Sequence, residues 1–492
     1  MKKIIIIITL FVAPVFCAQN ITITSGSLTL ESNAAMTVTG NFTKNGGAVN
    51  MNSGSSLIVL GGSSGEITYN RTLATDNWYL VTSPVAGETM EDLIANNLFA
   101  TGSNSNIGVA PYANDGTAWN YQTTAATGSL VSGTGYSVKL ASTGDIAFTG
   151  TVPVTDVGIA ITTNTNGFNL IGNPYPSYVP VNSNADGTHN VLKVNDTDND
   201  FLTEATLWLW NEATSTYEEI NHTSDALFLA PGQGFFVNSN GSNTFSFTEA
   251  MQSHQTTDQF QRPVVRPEIN LILTHETNTS DTDIFYIEGT TEGWDNGYDS
   301  TLFGGTANNF AIYTHLVNDS EGQDLGIQSL PNTNFENRVI PVGVNAAAGT
   351  TISIAAATQN LPEGVEVYLE DREAGSFTLL ETDEKYTITL SEALNGIGRF
   401  YLYTSAQVLL VDAVAMDAMS VYTFNKNQLK VVGVHDGVAK VTVYNMLGKQ
   451  IYTTTFQGNG ANEFSLPMVA TGVYLIELET ANGTLNKKVI IE

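Results

Sequence analysis

Two stretches of this 492-residue chain repeat one another in order and spacing. Trp78-Tyr79-Leu80-Val81-Thr82-Ser83-Pro84 aligns with Phe168-Asn169-Leu170-Ile171-Gly172-Asn173-Pro174. Trp119-Asn120 aligns with Trp210-Asn211, and Gly133-Thr134-Gly135-Tyr136-Ser137-Val138 with Gly232-Gln233-Gly234-Phe235-Phe236-Val237. Phe148-Thr149 aligns with Phe247-Thr248. Pro84 to Trp119 is 35 residues and Pro174 to Trp210 is 36, while Gly135 to Phe148 and Gly234 to Phe247 are both 13. Matching order and spacing at four places marks a duplicated structural unit. The copies are placed at 73–160 and 161–252. They can form separate sandwiches or the halves of one.

The rest of the chain alternates with the period of strands. Residues 19–72 hold Ile21-Thr22-Ile23, Ser27-Leu28-Thr29-Leu30, Met36-Thr37-Val38-Thr39 and Ser56-Leu57-Ile58-Val59-Leu60, punctuated by Asn, Gly and Ser. Such short strands suit rungs of a β-solenoid or the edge of a sandwich. A linker is expected at 253–267, then a β-sandwich over 268–405, with Ile269–Leu273, Ile284–Ile287, Val365–Leu369 and Arg399–Tyr403 as its clearest strands. Seven short strands over 412–492 predict an immunoglobulin-like sandwich. The expected class is all-β: tandem β-sandwich modules, a short N-terminal β-solenoid-like segment and an immunoglobulin-like C-terminal domain.

Lys2 and Lys3, the apolar run Ile4–Val12, Pro14 and small residues near Ala18 read as a secretory signal peptide over 1–18. The bulky Phe16 before Cys17 disfavours a lipoprotein site. No other apolar run is long enough for a transmembrane helix. Lys plus Arg is 18 against 48 Asp plus Glu, a net charge of -30. That balance argues against nucleic acid and against anionic lipid as partners. One Cys excludes a disulfide framework and a zinc–cysteine site.

The tail carries a recognisable set of residues. Val443-Tyr444-Asn445-Met446-Leu447-Gly448-Lys449 runs from a strand into a turn, Gly472-Val473-Tyr474 opens another strand, and Lys487-Lys488-Val489-Ile490-Ile491 ends the chain. On these residues the segment 412–492 resembles the type A C-terminal sorting domain of the type IX secretion system of Gram-negative bacteria. The resemblance implies that Gly448, Lys449, Gly472, Tyr474, Lys487 and Lys488 carry a sorting signal. It implies the type IX secretion machinery as partner, passage across the outer membrane, and removal of the domain with release of the cargo or its attachment to surface lipopolysaccharide. Gly172–Pro176 and Thr290–Asp299 resemble segments that recur in large surface proteins exported this way.

Candidate chemistry is sparse. The closest two of six His, His254 and His275, are 21 residues apart, which excludes a metalloprotease helix pair. Gly61-Gly62-Ser63-Ser64-Gly65 has the spacing of a nucleophile elbow but lies in a Gly/Ser turn among strands, without the helix that motif needs. No catalytic residue stands out, and the cargo is expected not to be an enzyme. Asp196, Asp198 and Asp200 alternate as calcium ligands do, although Phe201 and Leu207 stand where a calcium loop has Gly and Glu. The same run reads as a solvated acidic turn. Asp295 and Asp299, with Asp281 and Asp283, form a second candidate calcium group. Trp208 and Trp210 share a face of a regular strand and are candidate glycan-stacking residues, as are Trp78, Trp119 and Trp294. A Trp repeated in both copies also reads as core. The expected function is an exported adhesin or binding protein. The alternatives are a passive envelope spacer and a secreted glycoside hydrolase whose two carboxylates are distant in sequence.

Overall fold

The computed structural model describes the chain apart from residues 1–15, 114–117, 164, 213–214, 256–265, 319, 321, 336–337, 382–383, 406–419, 426–427, 435–436, 446–447, 459, 468, 471, 481–482 and 492. Most of the expected signal peptide, and the start of the expected tail domain, therefore lie outside the described residues. The chain divides into two compact units, 1–265 with 294–308 and 325–329, and 266–293 with 309–324 and 330–492.

The first unit opens with nine short strands: β1 (Phe16–Ala18), β2 (Ile21–Ile23), β3 (Ser27–Leu30), β4 (Ala35–Val38), β5 (Phe42–Lys44), β6 (Ala48–Asn52), β7 (Ser56–Val59), β8 (Ser63–Ser64) and β9 (Ile67–Leu73). They stack in parallel as three faces, β1-β4-β7, β2-β5-β8 and β3-β6-β9. This is a β-solenoid, not a sandwich edge. Its period is 21 residues: the Asn41 amide donates to Asn20 Oδ1 at 2.7 Å, and the Gly62 amide to Asn41 Oδ1 at 2.8 Å. Val38, Phe42, Met51 and Leu57 point inward and are fully buried. A Cβ on Gly61 would lie 2.4 Å from the Gly40 carbonyl oxygen, so glycine sets how closely the rungs approach there.

β9 also begins the first copy of the duplication. It pairs antiparallel with β14, named below, and so ends one architecture and starts the next. The copy continues with β10 (Tyr79–Val81), the helix α1 (Met90–Asn96), β11 (Val109–Ala113), β12 (Ala118–Trp119), β13 (Tyr136–Val138) and β14 (Gly144–Gly150). The second copy has β15 (Val157–Ile161), β16 (Phe168–Gly172), β17 (Val179–Pro180), β18 (Leu207–Asn211), β19 (Thr216–Ile220), β20 (Phe228–Leu229), β21 (Gly234–Asn238) and β22 (Asn243–Phe247). Its main sheet runs β16-β21-β18-β19, matching β10-β13-β11-β12 strand for strand, and β15-β22 matches β9-β14.

Register makes the equivalence residue-specific. Leu80 pairs with Ser137 as Leu170 pairs with Phe236. Ala110 pairs with Ser137 as Trp208 pairs with Phe236. Tyr112 then pairs with Trp119 as Trp210 pairs with Tyr217. This corrects one sequence match. Trp119 is the counterpart of Tyr217, and Trp210 of Tyr112. The two ring types are exchanged between neighbouring strands, and the resulting Trp-to-Trp coincidence conceals a one-strand shift.

In the second unit, Glu268–His275 lies between Asn278–Ile287 and Thr351–Gln359, with Tyr386–Thr389 beyond the latter. Val339–Ala346 lies between Ala311–Thr314 and Leu394–Ser405, followed by Glu366–Asp371 and Ser376–Leu379. Alternate residues such as Ile269, Leu271, Leu273, Ile352 and Ile354 fill its core. The tail has two sheets, one of Ser420–Asn425, Gln428–Val434 and Gly460–Ser465, the other of Gln450–Gln457, Val438–Asn445, Gly472–Thr480 and Gly483–Ile491. Val431, Val441, Ile476 and Leu478 pack in its own core, which gives the immunoglobulin-like sandwich expected from the sequence.

Candidate functional site

Strand alternation aims one face of each main sheet of the duplication at a shared aromatic cluster. Leu80, Phe168, Leu170, Trp208, Phe236 and Phe303 form its buried part, with Tyr112, Trp119, Trp210 and Tyr217 around them. The copies are not filled alike. Copy 2 places Trp208 and Phe236 where copy 1 has Ala110 and Ser137. Phe303, on the 294–308 segment, packs against copy 2, with ring centroids 4.8 Å from Phe168, 4.7 Å from Phe236 and 3.9 Å from Tyr217. In copy 1 the small Ser137, at the position of Phe236, lines a hollow.

That hollow has a volume of about 200 Å³. Trp78, Trp119, Tyr121, Trp210 and Tyr217 wall it, and Leu80, Ser137 and Thr306 complete its lining. The Trp210 indole N–H donates to the Trp78 carbonyl at 2.8 Å, which fixes one wall to the other. Trp78 meets Tyr121 edge to face at 5.8 Å, and Tyr121 is 43% exposed. A second hollow of about 320 Å³ shares Trp78 and Tyr121 and adds Thr101, Ser103, Asn106 and Lys139. Rigid, half-exposed rings with a few hydroxyl, amide and ammonium groups suit an amphipathic ligand. No carboxylate, imidazole or thiol is among the described residues lining either hollow.

The Trp residues singled out in the sequence separate. Trp208 has no exposed surface; its indole donates to the Thr301 carbonyl at 2.9 Å and its ring packs on Phe168. It is core. Trp210, two residues on, reaches the cleft. Trp78 and Trp119 line it too, while Trp294 is 37% exposed elsewhere on the 294–308 segment.

The acidic residues have other partners. Asp198 pairs with Lys193 at 2.7 Å. Asp196 is buried, and its Oδ2 accepts from Asn296 at 3.3 Å. Asp200 sits at a positive φ of 51°. Asp299 accepts from the Asp295 and Ser329 amides, each at 2.7 Å. Burial pushes the Asp299 carboxyl up to about 7 in spite of those amides. In the second unit, Asn270 donates to both Asp281 and Asp283. Among the described residues, no three His, Cys, Asp or Glu side chains are gathered as a metal ion would require. Glu204, unmarked by the sequence reading, is buried and accepts from the amide and hydroxyl of Thr301, which anchors the 294–308 segment to copy 2.

Residues 5–403 match a family model described as a domain of unknown function, DUF8693. The chain belongs to this family. The DUF8693 region takes in the solenoid, both copies and the cleft. Residues 425–492 match a second model, the secretion system C-terminal sorting domain. The tail is a type IX sorting domain, and the protein is secreted to the cell surface by that system. No curated protein matches the sequence. Among solved structures, one titled "Biofilm associated protein - BSP domain" is similar at 10% identity and a TM-score of 0.18, covering 85% of this chain and 96% of that one, which is too low a score to carry an argument.

C-terminal to the DUF8693 region, the residues expected to carry the sorting signal have separate places in the sandwich. Gly448 takes a φ of 76° in the turn before Gln450–Gln457, where the Lys449 amide donates to Asn445 Oδ1 at 3.0 Å. Tyr474 is buried, and its hydroxyl donates to the Ala470 carbonyl at 2.6 Å, a tether of the tyrosine-corner kind. Gly472 begins its strand with open space where a Cβ would go. Lys487 and Lys488, on the final strand, are exposed.

Proposed function

We propose that this exported protein is a non-catalytic, adhesin-like surface protein whose cleft binds saccharide by stacking pyranose faces on Trp78, Trp119 and Tyr121. One observation carries the reading: five aromatic side chains wall an open hollow where the duplicated counterpart is filled by Phe236 and Phe303. A core that merely needed closing would be closed in both copies. The absence of carboxylates from the described lining favours binding over hydrolysis at this cleft, since glycoside cleavage uses a pair of them. The test is a glycan array with the full-length protein beside Trp78→Ala and Tyr121→Ala. Saturable binding that both variants reduce roughly fivefold or more supports the proposal, the lower end of the about 1–3 kcal/mol that one aromatic ring supplies when a base stacks on it. An array with no saturable signal overturns it in favour of a passive spacer.

A further inference from the structure

We infer that the saccharide taken by this cleft is anionic, with its carboxylate or sulfate ester seated beside Lys139. This rests on the saccharide reading above. Lys139 follows β13, two residues beyond Ser137, so both side chains leave the same face of the strand and enter adjoining hollows. Its backbone is fixed on both sides: its amide donates to the Gly108 carbonyl at 2.8 Å, and its carbonyl accepts from Ala100 at 3.0 Å. The ammonium group is therefore presented from a rigid base.

Charge decides the class of ligand. The chain carries -30, so an anion approaching most of its surface is repelled. Lys193, Lys430 and Lys440 each pair with a carboxylate, whereas Lys139 has no such pair among the described residues. The hollows joined by Trp78 and Tyr121 have no acid in their described lining. An unneutralised cation in a carboxylate-free recess, half shielded from solvent, is where an anionic group gains most from pairing. A neutral sugar hydroxyl gains a weaker hydrogen bond from it than a carboxylate or sulfate does, because only the anion pairs charge with charge. The shared Trp78–Tyr121 ridge lets consecutive sugar rings stack on either side while the acidic one meets Lys139.

The test is calorimetric titration of the full-length protein, Lys139→Met and Trp78→Ala. Three probes of equal length are used: an oligogalacturonate, a sulfated galacto-oligosaccharide and a neutral galacto-oligosaccharide. The wild type should prefer at least one anionic probe over the neutral one by roughly tenfold, the scale of a charge-assisted hydrogen bond. Lys139→Met should erase that preference and change neutral binding far less than anionic binding, and Trp78→Ala should weaken every probe. The two anionic arms tell carboxylate from sulfate. Equal binding of all probes, indifferent to Lys139→Met, overturns the charge inference while the saccharide reading stands. Absence of binding to every probe overturns the charge inference, and the saccharide reading falls with it only if the glycan array also gives no saturable signal.

Discussion

Gly172 donates its amide to the carbonyl of Gly133 over 2.8 Å. Thr82, the counterpart of Gly172, donates to Gly232, the counterpart of Gly133, over 2.9 Å. The bridges Val81 to Gln233 and Thr134 to Ile171 repeat the same exchange. The copies therefore meet through one patch used twice, as the subunits of a two-fold dimer do, but within a single chain.

The Gly-x-Gly elements at this junction should be intolerant of side chains, to unequal degrees. A Cβ on Gly234 would lie 2.8 Å from the backbone carbon of Leu80, and one on Gly135 would lie 2.5 Å from Leu170 Cγ. A side chain can turn away where a backbone cannot. Gly234→Ala should cost about 2–3 kcal/mol and Gly135→Ala about half of that, within the usual range for overpacking. Urea denaturation followed through Trp fluorescence measures both. The reverse order would contradict the close-approach account.

Ser137→Phe installs in copy 1 the residue that copy 2 has at Phe236. The ring would enter the hollow of about 200 Å³ without removing a core contact. The variant should keep the wild-type melting temperature within a few degrees and lose saccharide binding. Folding with binding intact would show that the ligand sits elsewhere.

Glu88 gives a pH prediction. Burial pushes its carboxyl up to about 7, opposed by the Thr149 amide and reinforced by Asp92 and Glu66. Between about 4.5 and 7 the folded chain holds a proton that the unfolded chain has lost. The stabilisation is fully present below that window and is lost as pH rises through 7. Glu88 Oε1 has no hydrogen-bond partner among the described residues, so Glu88→Gln keeps the Thr149 contact on the other oxygen. At pH 8 the variant should exceed the wild type by on the order of 2 kcal/mol, and near pH 4.5 the two should converge. Melting curves at both pH values check this. His222 and His254 titrate alike in both proteins and cancel.

Removing 425–492 should strand the remaining protein between the two membranes, since that segment is the sorting domain. Cell fractionation reads the outcome. Surface protein in undiminished amount would show a second export route.

The duplication was legible because Gly-x-Gly, the Pro-ended strand and the closing Phe face fixed backbone neighbours and cannot drift. The Trp residues drifted, since a cross-strand pair such as Tyr112 with Trp119 packs equally well with its members exchanged. The cleft was half visible. Ser137 stood opposite Phe236 in the alignment, a small residue at an inward position, and that asymmetry was the signal for a hollow. Lys139 and Tyr121 carried no local mark. The solenoid was suggested by its short strands, but its period lay in Gly40 and Gly61, and in Asn20 and Asn41, each pair 21 residues apart. The partners of the carboxylates were not legible, because spacing records neither the Lys193 that pairs with Asp198 nor the amides that donate to Asp299.

The asparagine-linked rungs also make the length of the N-terminal segment adjustable. Along the stack each rung hydrogen-bonds the one before and the one after, so a gain or loss of 21 residues ahead of β4 inserts or removes one storey and leaves the bonds of Thr37 and Ser56 to His254, and of Leu57 to Pro176, in register. A change of 20 or 22 would turn each inward residue outward along the shifted strands. Relatives of this protein should therefore differ in height by whole storeys, with the cleft carried nearer to or farther from the N-terminal end as a fixed cargo.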